Sequence, residues 1–162
     1  METKKIDNKA VEIVMPLITS EYDAFYHYRA LSNYCQGRGY EIAAKYFMKE
    51  ADDELVHAKA LEQFLVNWNV TVALPVIEMP KYEFKSLVEG IEVSYDMEYS
   101  LYGSYNKSVM DSMSVDVSLF TMLQKRADVQ YEAVVEYSDK LNMLKDVDTS
   151  KTNLLILEKK LF

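Results

Sequence analysis

The chain predicts an all-α fold: a bundle of four long helices with one long crossover connection and a short fifth helix at the C-terminus. Three observations predict it. Only 4 Gly and 3 Pro occur in 162 residues, so turn signals are scarce. Hydrophobic residues make up 49% of the chain and recur at helical spacing over four long stretches. The one long stretch without that period, "NVTVALPVIEMPKYEF", carries two of the three prolines. A chain of this length can build one substantial core, so residues 1–162 are expected to form a single domain.

The first helix is expected over about residues 7–36, with Pro16 marking a late start or a kink. "GRG" at 37–39 ends it. The second is expected over about 40–68, ahead of the crossover. The third is expected over about 84–111, and "SMSV" then makes a tight turn with Ser114 as the next N-cap. The fourth is expected over about 115–144, and a terminal helix over about 150–161 after "KDVDTS". Two helical hairpins joined by a long crossover make a bundle of the crossover type.

Composition excludes several function classes. The net charge of −8 and pI near 4.8 disfavour a nucleic-acid partner, whose phosphates would be repelled, and favour cations. No apolar run approaches the roughly 20 residues of a membrane span, so no membrane partner is expected. The start, "METKKIDNKA", lacks the apolar stretch of a signal peptide. The single cysteine, Cys35, allows no internal disulfide and suits a reducing cytoplasm, the expected location.

Each helix carries one polar residue in the middle of its apolar stripe. In the first, Glu21 falls among Val14, Leu17, Phe25 and Leu31. In the second, Glu54 lies in the stripe of Phe47, Ala51, Ala58, Leu61 and Leu65, with His57 on its flank. In the third, Glu98 lies among Leu87, Ile91, Leu101, Tyr102 and Val109. In the fourth, Gln130 lies among Leu119, Leu123, Val134, Tyr137 and Leu141. A lone Glu-x-x-His is ordinarily a hydrogen-bonded core histidine beside a half-exposed acid. Four such residues, each about halfway along its helix, can meet at one level of a bundle.

The two hairpins also echo one another. "EYDAFYHY" (21–28) and "EYSLYGSY" (98–105) share Glu-Tyr, an aromatic four residues after the Glu and a Tyr seven after it. Inward Glu from two helices and Glu-x-x-His from the other two form the di-iron carboxylate pattern. Glu21, Glu54 and His57 complete one half. The other half keeps Glu98 but has Ala127-x-x-Gln130 on the fourth helix, so Gln130 is a neutral ligand at best. Oxygen and imidazole ligands without thiolate suit iron, manganese or zinc, and Glu54 is the natural bridge. Tyr28 stands two turns beyond Glu21 on the same face, in reach of the site as a hydrogen-bond partner or simply as a core residue. Tyr105, at the echoed position, is expected to be core.

Over nearly its whole length the chain resembles the ferritins. The resemblance is carried by "SEYDAFYHY", "AAKYFMKEADDELVHAKAL", "SYDMEYSLYGSY" and the short helix after "DTS". It implies that Glu21 and His57 hold one iron, Glu54 bridges, Glu98 holds a second, and Tyr28 is the site tyrosine. It implies oxidation of Fe(II) by dioxygen or peroxide, a ferroxidase activity, and storage of ferric mineral in a hollow homo-oligomer of twenty-four subunits. Departures shape further expectations. Arg126 and Val129 stand where many bacterial ferritins have carboxylates of a third iron site, so none is expected. Leu55 stands where bacterioferritins place the haem-ligating Met, so no haem is expected. Asp53, beside Asp52, is expected on the cavity side as a nucleation residue, or as plain surface charge. Two other readings remain: a non-storage di-iron oxidase or peroxidase, and a structural bundle with a vestigial metal site.

Overall fold

The computed structural model describes residues 3–162. Five helices run in order: α1 (Asn8–Arg38), α2 (Glu41–Asn67), α3 (Leu87–Ser112), α4 (Val117–Leu144) and α5 (Lys151–Leu161). There is no strand among the described residues. Helices α1 and α2 pack as one hairpin, α3 and α4 as the other, and α1 meets α3 across the bundle. The expected all-α crossover bundle with a short fifth helix is the architecture observed.

Local chemistry sets the helix ends. Asp7 caps α1, its carboxylate accepting from Lys9 N–H at 2.8 Å. Gly39, at φ 82°, takes the left-handed turn that ends α1, and Tyr40 N–H closes back on Cys35 O at 2.9 Å. Asn69, at φ 61°, does the same after α2. Ser86 caps α3 by accepting from Glu89 N–H at 3.1 Å, so that helix starts three residues later than the expected residue 84. Phe84 is buried ahead of the cap rather than inside the helix.

Two expectations about ends are corrected. Pro16 does not delay the start of α1, because the helix begins eight residues earlier and runs through it. The neighbouring carbonyl of Pro16 itself still accepts, from the Ser20 hydroxyl at 3.1 Å. The N-cap of α4 is Asp116 and not Ser114: the Asp116 carboxylate accepts from Leu119 N–H at 2.9 Å. Asp and Ser are comparable caps, and geometry two residues on decides between them.

The α2 N-terminus has no cap of its own, since the Tyr40 side chain makes no capping hydrogen bond. Glu158 of α5 supplies one, accepting from Ala43 N–H at 3.0 Å. A carboxylate there also meets the positive end of the helix dipole.

The core divides into two apolar clusters. One gathers Val14, Leu17, Leu61, Leu65, Leu101, Leu119 and Leu123. The other gathers Leu31, Phe47, Ala51, Leu87, Ile91, Tyr137 and Leu144. Glu21, Glu54, Glu98 and Gln130 each fall between the two along their helices, and all four are buried. The predicted stripes hold in their main members, while Phe25, Tyr102, Val109, Val134 and Leu141 are only half-buried at the margins.

Candidate metal centre

Each helix delivers its polar residue to the bundle interior at the boundary between the two clusters. Four ligand-capable side chains buried side by side are costly unless each finds a partner. Most do. The Tyr105 hydroxyl of α3 donates to Glu21 Oε1 of α1. The Tyr28 hydroxyl of α1 donates to Glu98 Oε1 of α3. The Gln130 side-chain amide donates to Glu98 Oε2, and to the Glu98 carbonyl at 3.0 Å. The echoed tyrosines therefore exchange partners across the bundle, each holding the glutamate of the other hairpin.

His57 is set on the half-buried flank of α2, as its position predicts, and turns inward. Its Nδ1 lies 3.0 Å from Glu54 Oε2 and 3.7 Å from Glu21 Oε2. Glu21, Glu54 and His57 each present one ligand atom within 4.8 Å of the others. This is the only such cluster of three His, Cys, Asp or Glu groups among the described residues. Glu21 Oε2 is buried with no hydrogen-bond partner. An orphaned anionic oxygen facing an imidazole and a second carboxylate suits a cation with a preference for oxygen and nitrogen.

The electrostatics agree with this division. Burial pushes the Glu21 carboxyl up, but the nearby His57 and Glu54 and the hydrogen bond from Tyr105 outweigh it and hold it below the ordinary value. Burial dominates at Glu54 and raises it well above that value, Glu21 adding to the rise. Burial also raises Glu98, against the bonds from Tyr28 and Gln130. Burial lowers His57, yet the facing Glu21 and the hydrogen-bonded Glu54 carry it up to about 10. The lowered Glu21 and the raised His57 are the two sides of one ion pair, while burial holds Glu54 toward its neutral form.

The other sequence-predicted residues fall into place differently. Tyr28 reaches Glu98 on α3, and not Glu21 on its own helix. Tyr105, expected as core, is buried but is also a partner of Glu21. The echo of the two Glu-Tyr segments was the available signal for it. Gln130 turns its amide N–H groups toward Glu98, as a donor. Ala127 packs at the edge of an apolar cluster. Asp53 forms an exposed pair with Lys49 at 2.5 Å. Glu50, one turn before Glu54 and half-buried, passed unnoticed in the sequence; burial and the charges of Glu136 and Glu98 push it up to about 7. The Cys35 thiol is buried and pushed up to about 12, which makes it unreactive.

A crossover four-helix bundle with inward glutamates and a Glu-x-x-His defines the carboxylate metal-binding bundles as a class. Within that class, residues 16–147 match the Ferritin family, described as a ferritin-like domain, and the chain belongs to that family. It is similar to a probable bacterial non-heme ferritin-like protein of Haemophilus influenzae, 26% identical over 96% of this chain and 95% of that one. A bacterial non-heme ferritin of Staphylococcus aureus is 23% identical over the same shares. Among solved structures, an open pore ferritin from the hyperthermophilic archaeon Archaeoglobus fulgidus superposes with a TM-score of 0.90, at 25% identity and 96% of each chain. No helix among the described residues is long and apolar enough to cross a membrane.

Proposed function

We propose that this protein oxidises Fe(II) at a two-metal centre within each subunit and stores the ferric product in a hollow homo-oligomeric shell. The observation that carries the reading is the convergence of Glu21, Glu54 and His57 beside the orphaned Glu21 Oε2. Family membership supports iron as the metal. Fe(II) is substrate here and leaves as mineral.

The residues divide the work. Glu21 has one oxygen held by Tyr105 and the other free, so it can bind metal without giving up that bond. His57 must surrender its proton for Nδ1 to bind, and Glu54 must ionise to bridge. Glu98 has both oxygens engaged, by Tyr28 and Gln130. A second iron there must displace a bond, and Gln130 adds no charge. The site is thus asymmetric: the position at Glu21 and His57 fills first, and the one at Glu98 binds loosely. Dioxygen or peroxide accepts the electrons. A loosely held position lets ferric iron move on to the cavity, as storage requires.

Aerobic addition of Fe(II) tests the reading. Rapid oxidation with a coloured product that stays soluble within a large assembly is expected. Rapid oxidation by a small species would favour the non-storage enzyme instead. No acceleration over buffer would leave a structural bundle with a vestigial site. The cytoplasm is the compartment proposed, where Fe(II) is stable enough to be a substrate.

A further inference from the structure

Tyr28 is held on Glu98 by more than its own hydrogen bond. Its ring is fully buried and stacks on Phe47 of α2, with centroids 6.1 Å apart and planes 13° from parallel. It also stacks on Tyr137 of α4, at 6.1 Å and 19°. Each of these two rings is backed in turn. Phe162, just beyond α5, meets Phe47 edge-on at 5.2 Å and lies 4.9 Å from the ring of Tyr46. The Lys140 ammonium of α4 lies 5.6 Å from the Tyr137 ring, 4.5 Å from that of Tyr46 and 5.7 Å from that of Phe162. Phe162 thus reaches the ring whose hydroxyl bonds Glu98 through Phe47 alone.

Apolar packing does not account for lysine at 140. The residue is buried, and an ammonium taken out of water costs free energy unless it is paired. A methionine of similar length would pack there without that cost. Lys140 pairs with Glu136 at 2.5 Å, and Glu136 also accepts from the Tyr46 hydroxyl at 2.8 Å. Tyr46 is therefore fixed at its hydroxyl by Glu136 and at its ring by Lys140 and Phe162. The three rings around the ammonium gain from its charge as well as from contact. These contacts tie the end of α5 to α2 and α4 at the level of Tyr28. Near-parallel rings packed on Tyr28 restrict its tilt and keep its hydroxyl on Glu98 Oε1.

We infer that Phe162 and Lys140 are positioning residues for the second metal position: they clamp Tyr28 onto Glu98 and so keep iron there loosely held. The inference rests on the two-metal reading, in which iron at Glu98 must displace a hydrogen bond. A Tyr28 ring free to tilt gives up its bond at little cost, and iron then binds Glu98 more tightly. A clamped ring gives it up at greater cost, and the position stays weak. The docking of α5 thereby sets how readily iron leaves the centre.

Anaerobic calorimetric titration of the assembled protein with Fe(II) tests this, because it separates the first binding step from the second. Phe162→Ala and Lys140→Met should each tighten the second step several-fold and leave the first unchanged. Lys140→Arg, which keeps a charge among the rings, should hold the wild-type value. Tyr28→Phe removes the bond itself and should tighten the second step at least as much. Phe162→Ala added to Tyr28→Phe should then do nothing more, because the clamp acts only through that hydroxyl. Leu65→Ala opens a cavity in the other apolar cluster, and should lower the melting temperature without moving the second step. A second step unchanged or weakened in Phe162→Ala and Lys140→Met, or effects additive with Tyr28→Phe, would overturn the clamp and leave the two-metal reading standing. A single binding step in the wild type and in every variant would overturn that reading and the clamp with it.

Discussion

At His57 one nitrogen faces two carboxylates, Glu54 at 3.0 Å and Glu21 at 3.7 Å. A metal bound there would compete with a proton for it. His57→Ala should slow the first phase of Fe(II) oxidation roughly tenfold or more, and Glu54→Ala further, since it strips a ligand from both positions; stopped-flow absorbance reads both. The same nitrogen sets a pH dependence in the metal-free protein. His57 is raised from 6.5 to about 10, so its stabilisation is complete below about 6.5 and is lost as pH rises through about 10. Glu54, raised by burial, loses stability in the same direction as it ionises. The melting temperature without metal should fall between pH 6.5 and 10, and His57→Gln should flatten that fall; a wild-type curve already flat would contradict the ion-pair account. On the far side, Gln130→Glu should add an anion beside Glu98, raise occupancy there and slow release of ferric product. Unchanged release would make Gln130 a structural donor only. Most of this was legible in sequence, because Glu21, Glu54, Glu98 and Gln130 interrupt apolar stripes at matching heights. The roles of Tyr28 and Tyr105 were less so. Spacing shows which face a tyrosine takes, but not which helix its hydroxyl reaches.

At the scale of elements, α5 is fixed by more than apolar contact. Glu158 is buried and caps the Ala43 amide at the start of α2, where Tyr40 makes no capping bond. Glu158→Ala should cost about 1–2 kcal/mol by analogy with cap removal. Hydrogen exchange should show the change first in α5 and the opening turn of α2. An unaltered exchange pattern there would mean that Leu154 and Leu161 hold the helix unaided. The existence of α5 was evident from "KTNLLILEKKLF", whereas its anchor joins residues 115 positions apart, a pairing no local pattern carries. Pro16 and Ser114 show the same limit on a smaller scale. Proline tends to open or break helices, yet packing along α1 on both sides carries the helix through it. Two good caps lay close together, and only the geometry of the turn chose Asp116.

Across the whole molecule, the buried polar level separates two apolar clusters, so the candidate metal site lies at the middle of the bundle while the ends supply stability. The outer surface keeps large apolar groups exposed on the crossover, among them Leu74, Val76 and Met79. Such groups fit burial against further copies of the chain. Size-exclusion chromatography with light scattering should place the protein near 450 kDa, about twenty-four times its 18.8 kDa mass; a monomer or dimer would contradict the shell. The bundle and its buried polar level were readable from helical period, but what the outer surface meets was not, because contacts between chains leave no local pattern in sequence. The central claim is the asymmetric two-metal level, and anomalous scattering from crystals soaked anaerobically in Fe(II) tests it most directly. The account predicts a strong iron peak among Glu21, Glu54 and His57, and a weaker one beside Glu98. Equal, full peaks at both positions would contradict the asymmetry, and no peak at either would contradict the site itself.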